Sequence, residues 1–493
     1  MSTSQATSQA PASSSDKSFF GHPRMLANLF SVELWERFSY YGMQAILAYY
    51  MYFSVTQGGL GLDKTLALSL VGAYGGGVYL STILGAWLAD RVFGSERVLF
   101  YSAMLIMAGH LSLALLHGVG GLATGLILIA IGSGGLKANT TALVGTLYAP
   151  TDTRRDAGFS IFYMGINLGA LFGPLITDLL RTTPGLGFHF GFGAAALGMA
   201  IGLVWYGVTR KNLPEEAHRV ANPLPAAQRT RMILIGVGGI IVILALVLTN
   251  VVTADNLALV VAVVAVLASI AYFTVIFRSR LVTALERKRV TAFIPLYLAS
   301  AAFWALFQQQ STFIATYSDV KLDRNILGWE MPPGWVQSIN PIFIIIFAGV
   351  FAALWTKLGD RQPSSPLKFS LGLGIMGLAF LAFIPLAGGG PHSTPLIALA
   401  GILLLFTFAE LSLSPIGLSV TTKLAPAAFH TQMVALFFLS VSLGTTVSGM
   451  LAGLYSPSNQ VPYFLFVGIT AVVLALCLVA ATPAIKRLMG NIK

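Results

Sequence analysis

Charge is scarce in this chain of 493 residues: Asp, Glu, Lys and Arg make up only 10% of it, against roughly a quarter in an ordinary soluble domain. With 56% hydrophobic residues, the chain has too little polar surface to dissolve. Cysteine is nearly missing as well. Cys477 stands alone inside an apolar run, which rules out an intrachain disulfide and predicts a lipid-facing or packing thiol. No Gly-Lys dipeptide occurs, and this excludes a phosphate-binding P-loop and an ATP-driven pump. The seven His residues are scattered without metal-ligand spacing. No nucleophile, base and oxyanion constellation is visible either, so no metal, no cofactor and no enzymatic activity are expected. Residues 1 to about 20 are Ser, Ala, Gln and Thr without the apolar core of a cleavable signal. Residues 1–24 are expected to be a disordered cytoplasmic tail.

What the chain has instead is repeated apolar runs of about 20 residues or more, each enough to cross a hydrocarbon core of roughly 30 Å as α-helix. The short alternating segments of a membrane β-barrel are missing. The runs predict helices near residues 25–54, 65–89, 97–116, 121–147, 157–180 and 187–209, then 231–251 and 256–277 after a polar, Pro-containing stretch. A second set follows near 290–318, 333–357, 367–387, 395–422, 431–455 and 462–485. The expected fold is therefore all-α and membrane-integral, with fourteen spans. It divides into a six-helix bundle at 25–210, a linker with two inserted helices at 211–289, a second six-helix bundle at 290–485 and a tail at 486–493.

The net charge of +11 does not point to nucleic acid, because the cations fall in short connections. Alternate connections hold most of them, from Arg91 and Arg97 through Arg210 and Arg289 to Lys423, while the others hold only Lys64, Arg181, Lys321 and Arg324. This asymmetry predicts both termini on the cytoplasmic side. The connection after the second run of the first set carries Asp90-Arg91, and the one after the second run of the second set carries Asp360-Arg361. Matching pairs at matching places in two sets of six indicate a repeat. It resembles the loop motif of the major facilitator superfamily, in which two halves rock about a site at the bilayer midplane.

Five charges cannot be assigned to an interface: Glu33, Glu36, Arg37, Lys137 and Glu410. Each costs at least a few kcal/mol at the bilayer centre and must face a partner or a wet cavity. Helical spacing lines up Glu33, Arg37, Tyr40, Tyr41 and Gln44 and pairs Glu33 with Arg37 at i, i+4. Charges cancel among the four residues of the first half, and Glu410 stands alone in the second. A zwitterion fits such a cavity, its carboxylate toward Arg37 and Lys137 and its amine toward Glu410. Amino acids, short peptides and betaines all meet that description.

Three motifs narrow the choice. Glu33-Leu-Trp-Glu36-Arg37-Phe38-Ser-Tyr-Tyr41-Gly42, Phe162-Tyr163-Met-Gly-Ile-Asn167-Leu-Gly169 and Glu410-Leu-Ser-Leu-Ser414-Pro415-Ile-Gly417 resemble the first-, fifth- and tenth-helix signatures of the proton-dependent oligopeptide transporter family. The resemblance spans about residue 25 to the C-terminus. It implies proton-coupled symport of di- and tripeptides into the cell by alternating access, through a monomer in the bacterial inner membrane. By that resemblance Arg37 and Lys137 hold the peptide carboxylate, and Asn167, Asn340 and Glu410 its amino end. Tyr41 and Tyr79 contact its backbone, while Trp304 and Ser414 line the site. Glu33, Glu36 and Lys137 are the proton-linked groups.

At two positions the chain leaves the family pattern. Where the family usually has Arg and Glu, paired as an extracellular gate, this sequence has Gln44 and Gln308. Replacing both partners of a buried pair is often neutral, whereas losing one strands a charge. An amide contact between Gln44 and Gln308 is the expectation. Phe437 stands where the family often has Trp. His110 is read as a packing residue, and Pro174, Pro295, Pro341 and Pro415 as helix-interior prolines that favour kinks. Rival readings are a carrier of nitrate, an amino acid or a peptide-like drug, a facilitator, and a sensor that binds peptide without moving it.

Overall fold

The computed structural model describes residues 18–490 except 150, 151, 153, 457 and 459, and the side chains of residues 156 and 360 are likewise outside the description. The first group of helices is α1 (Arg24–Tyr52), α2 (Lys64–Leu88), α3 (Ser95–Leu115), α4 (Gly118–Thr146), α5 (Arg155–Thr182) and α6 (Phe188–Thr209). A short α7 (Glu215–His218) leads to the inserted pair α8 (Ala226–Leu248) and α9 (Leu257–Arg278). The second group is α10 (Ala284–Phe307) with its continuation α11 (Phe313–Val320), α12 (Ile339–Leu358), α13 (Ser365–Leu381), α14 (Leu396–Leu424), α15 (His430–Gly453) and α16 (Gln460–Met489). Among the described residues thirteen helical spans are long and apolar enough to cross a membrane. α1 has the length, at 29 residues, but carries Glu33, Glu36 and Arg37 in its middle. With it the spans number fourteen, as the apolar runs predict.

Local chemistry sets several helix starts. Asp63 caps α2 by accepting from the Leu66 N–H at 3.0 Å, and Thr283 with Glu286 forms a capping box that opens α10. α2 ends in a π-turn over Ala89–Phe93, which carries Asp90 and Arg91. A single helix expected at 290–318 is in fact two. Its ladder tightens into a 3-10 turn at Gln308–Ser311 before α11 resumes the path. Pro341 is corrected too: it is the third residue of α12, in the first turn, where no intrahelical partner for its nitrogen is needed. Pro174, Pro295 and Pro415 do lie inside helices, as does Pro483. The expected tail at 1–24 falls largely outside the described residues, over 1–17. In the remainder, Phe19 and His22 pair their backbones and His22 Nδ1 lies 2.9 Å from the Tyr148 hydroxyl. Residues 491–493 are also outside the description.

Within the first group α1 packs on α5 and α6, and α4 on α2 and α3; within the second, α13 packs on α14 and α16, and α10 on α15. The two groups meet along α2 and α15 and, at one end, where α5 meets α12 and the 3-10 turn Pro333–Ser338 before it. α9 lies against α2, α15 and the second group, with Ser269 Oγ 2.7 Å from the Tyr297 hydroxyl, whereas α8 buries no residue at all. An apolar helix that buries none of its residues against protein is a lipid-facing one. Cys477 is exposed on α16, as a lipid-facing thiol would be.

The α2–α15 seam depends on missing side chains. A Cβ on Gly72 would lie 2.8 Å from the Cα and N of Gly449 and 2.9 Å from the Thr446 carbonyl oxygen. Close helix approach of this kind, through small residues, drives association in lipid where the hydrophobic effect is weak. Because the obstacles are backbone atoms, Gly72→Val is expected to force the helices apart. It should lower the thermal unfolding midpoint in detergent by an amount equivalent to about 1–3 kcal/mol, while Gly77→Ala, which meets nothing within 4 Å, should leave it unchanged.

Candidate binding and proton-coupling site

The centre of the site is Arg37, buried at 4% exposure between two carboxylates. Its Nε lies 2.7 Å from Glu33 Oε1, the i, i+4 pair that the spacing predicts, and 3.2 Å from Glu36 Oε2. Glu36 is fully buried and accepts a further hydrogen bond at 3.2 Å from Ser133 on α4. Ser133 did not stand out in the sequence. It lies one helical turn before Lys137 on the same face of α4, and that spacing was the available signal.

Lys137 makes no ion pair within 4.0 Å among the described residues. Arg37 has taken both acids, and the Lys137 ammonium lies instead over aromatic faces, 4.1 Å from the Tyr79 ring centre and 6.0 Å from that of Tyr40. It remains within electrostatic range of Glu33, Glu36 and Arg37. Glu33 and Glu36, expected beside Lys137, make their ion-pair contacts with Arg37. Tyr79 also spans the seam, stacked on Phe438 of α15 at 6.4 Å.

On the facing wall Glu410 of α14 has no cation within 4.0 Å among the described residues. Asn340 of α12 donates to it at 3.4 Å and to Thr407, one turn earlier on α14, at 3.0 Å. Thr407 is a second residue that sequence reasoning missed; its spacing of three from Glu410 puts both on one face. Tyr41, Tyr79 and Tyr163 of the first group lie within electrostatic reach of Glu410. The structure therefore brings Arg37, Lys137, Tyr41, Tyr79, Asn340 and Glu410 into one region between the groups.

Other residues are placed less directly. Asn167 donates from Nδ2 to the Tyr163 carbonyl at 2.9 Å on its own helix. Ser414 is half-buried one turn beyond Glu410. Trp304 packs edge-on against Phe303 and Phe307 at 5.4 Å each, with its buried Nε1–H unpartnered among the described residues. His110 is fully buried with neither ring nitrogen hydrogen-bonded among the described residues; it packs, as expected, but is not satisfied.

The amide contact expected between Gln44 and Gln308 does not form. Gln44 Nε2 donates to Ser311 Oγ at 3.2 Å, and Ser311 Oγ donates to the Gln308 carbonyl at 3.1 Å. The reason is the 3-10 turn at Gln308–Ser311, which sends the Gln308 side chain toward Tyr79 and swings Ser311 under Gln44. Further polar contacts close the same end, where α1 and α5 finish. Tyr49 donates to the Ala315 carbonyl at 2.8 Å and Tyr52 to Asp319 at 3.0 Å.

Comparison with known proteins agrees with this architecture. Residues 96–466 match the family model described as PTR2, POT family. The chain is 43% identical over 482 residues to an uncharacterised transporter, YclF, of Bacillus subtilis, covering 97% of each protein. It is 39% identical over 494 residues to a di-/tripeptide transporter of Lactococcus lactis subsp. cremoris, covering 97% of this chain and 99% of that one. Among solved structures, a peptide transporter POT in complex with alafosfalin superposes with a TM-score of 0.92 at 48% identity, covering 98% of this chain and 99% of the other. A multi-pass membrane transporter by fold and by relationship, the chain belongs to the POT family.

Proposed function

We propose that the protein imports di- and tripeptides together with protons, its helices 25–210 and 290–485 rocking about the charged cavity. The observation that carries this reading is the pairing of opposite walls: a neutral cluster containing Arg37 and Lys137 faces Glu410, a carboxylate without a cation. A zwitterion bound across the gap supplies the missing positive charge to Glu410 and a carboxylate to Lys137. Nitrate would meet the cations but leave Glu410 opposed by a second anion. Side chains of short peptides vary too much to be recognised, so termini and backbone must be, and Tyr41, Tyr79, Asn167, Asn340 and the Trp304 N–H are the groups available for them. Names carried by relatives, such as di-/tripeptide transporter, support the substrate class.

Proton coupling follows from the same charges. Lys137 is the cation without an acid in contact, so a proton delivered to Glu33 or Glu36 changes the charge around it and hence its hold on the peptide carboxylate. In the cell the protein is assigned to the bacterial inner membrane as a monomer, with both termini in the cytoplasm.

Proteoliposomes separate this reading from its rivals. Dialanine uptake should rise with an inward proton gradient; uptake indifferent to the gradient would make the protein a facilitator, and binding without uptake a sensor. Glu410→Gln removes the anion of the second wall and should weaken dialanine binding by about 2–5 kcal/mol; unchanged binding would take Glu410 out of the site. Arg37 and Lys137 should differ. Arg37→Ala strands two buried acids and should cost both uptake and roughly 3–5 kcal/mol of stability, whereas Lys137→Ala breaks no ion pair and should abolish gradient-driven uptake with little change in the unfolding midpoint. Parallel uptake and unfolding measurements on the two variants decide this.

A further inference from the structure

The far end of the molecule is closed by a feature that lies away from the substrate charges. One face of α5 receives the 3-10 turn Pro333–Ser338 of the second group in three steps. Ser338 Oγ donates to the Leu171 carbonyl at 2.8 Å, Trp335 Nε1 to the Leu175 carbonyl at 3.0 Å, and the Gly334 backbone N–H to Asp178 Oδ2 at 2.6 Å. The first two acceptors are helix carbonyls. The third is a carboxylate with 0% exposure.

Asp178 does not stand alone. Arg181, one turn on, donates from Nε to Asp178 Oδ1 at 2.5 Å, and its guanidinium lies 4.9, 5.7 and 5.4 Å from the rings of Tyr49, Phe53 and Phe188. Arg324 of the second group and Tyr49 of α1 are also within its electrostatic range. Because Arg181 is on the same helix, it travels with Asp178 when the bundles part. Opening then breaks the Gly334 contact without leaving a bare charge, whereas closing adds a hydrogen bond to an ionised acceptor, roughly twice as strong as a neutral one. Gly334 fits this role through its size, since a Cβ there would lie 2.8 Å from Cγ and Oδ2 of Asp178.

We infer that Asp178, positioned by Arg181, is the latch of the far-side gate: it holds the two bundles shut by accepting the Gly334 N–H, in a chain whose Gln44 and Gln308 bring no charge to that end. The inference rests on the reading of the two bundles as rocking bodies, and its test separates the two.

The test is a distance measurement by electron paramagnetic resonance in the full chain. Spin labels go on Thr183→Cys, just past α5, and Leu327→Cys, on the exposed tip of the hairpin before Gly334, in a Cys477→Ser background. In the otherwise unchanged chain a short, closed distance should dominate over a longer one. Asp178→Ala and Gly334→Ala should each raise the open-to-closed ratio by roughly tenfold or more, the factor that goes with a hydrogen bond to a charged group. Gly334→Ala leaves every charge in place, so a shared shift identifies the contact rather than the charge. Asp178→Asn, which keeps an acceptor oxygen of the same size, should shift the ratio less than Asp178→Ala. A closed distance unaltered in both alanine variants overturns the latch while leaving the rocking bundles standing. One distance in the unchanged chain, insensitive to dialanine and to pH, overturns both.

Discussion

Everything central to this protein depends on Arg37 being held between Glu33 and Glu36 in the middle of α1. Three charges in one membrane helix are tolerable only because they neutralise most of one another within about 3 Å and face the interior rather than lipid. Their arrangement fixes which cation is spent and which is free. Arg37 is occupied by two acids, so Lys137 stands over Tyr79 with its charge available, and Glu410 of the second group accepts from Asn340 with no cation within 4.0 Å among the described residues. Charge separation between the two groups is thus a consequence of charge pairing within one of them.

Packing carries that polarity between two bodies. α2 and α15 meet through glycines closely enough for backbone to touch backbone, and Tyr79 reaches Phe438 across the same seam. At the far end hydroxyls, a glutamine and the Asp178 carboxylate join α1 and α5 to the second group. These contacts are hydrogen bonds, the strongest of them to a carboxylate, rather than interlocked apolar side chains. A seam of interlocked apolar side chains would cost far more to part.

Much of this was legible in the sequence, for physical reasons that can be named. Apolar runs fix the spans because a membrane admits few alternatives to a helix, and the periodicity of α1 gives the Glu33–Arg37 pair directly. What stayed hidden was local. The 3-10 turn falls on Gln308-Gln-Gln-Ser311, polar residues that the interior face of a continuous helix can also carry, so they did not by themselves mark the break in the helix or the partner of Gln44. Arg37 could not be seen to monopolise both acids, because spacing says which residues share a face but not which of two cations wins them. Ser133, Thr407 and Asp178 are ordinary polar residues until the neighbouring helix is placed. Asp178 in particular carries no signal in the sequence, and it is Gly334, 156 positions away, that gives it a partner on the second group.

The central claim is that the cavity recognises a zwitterion through opposite walls. Calorimetric titration of the purified protein with dialanine, its N-acetylated form and its C-terminal amide tests it most directly. Free dialanine should bind, and each blocked form should bind at least about tenfold more weakly, because each leaves a polar group of the cavity without its partner. Equal binding of the N-acetylated peptide would show that Glu410 does not read the amine and would contradict the account.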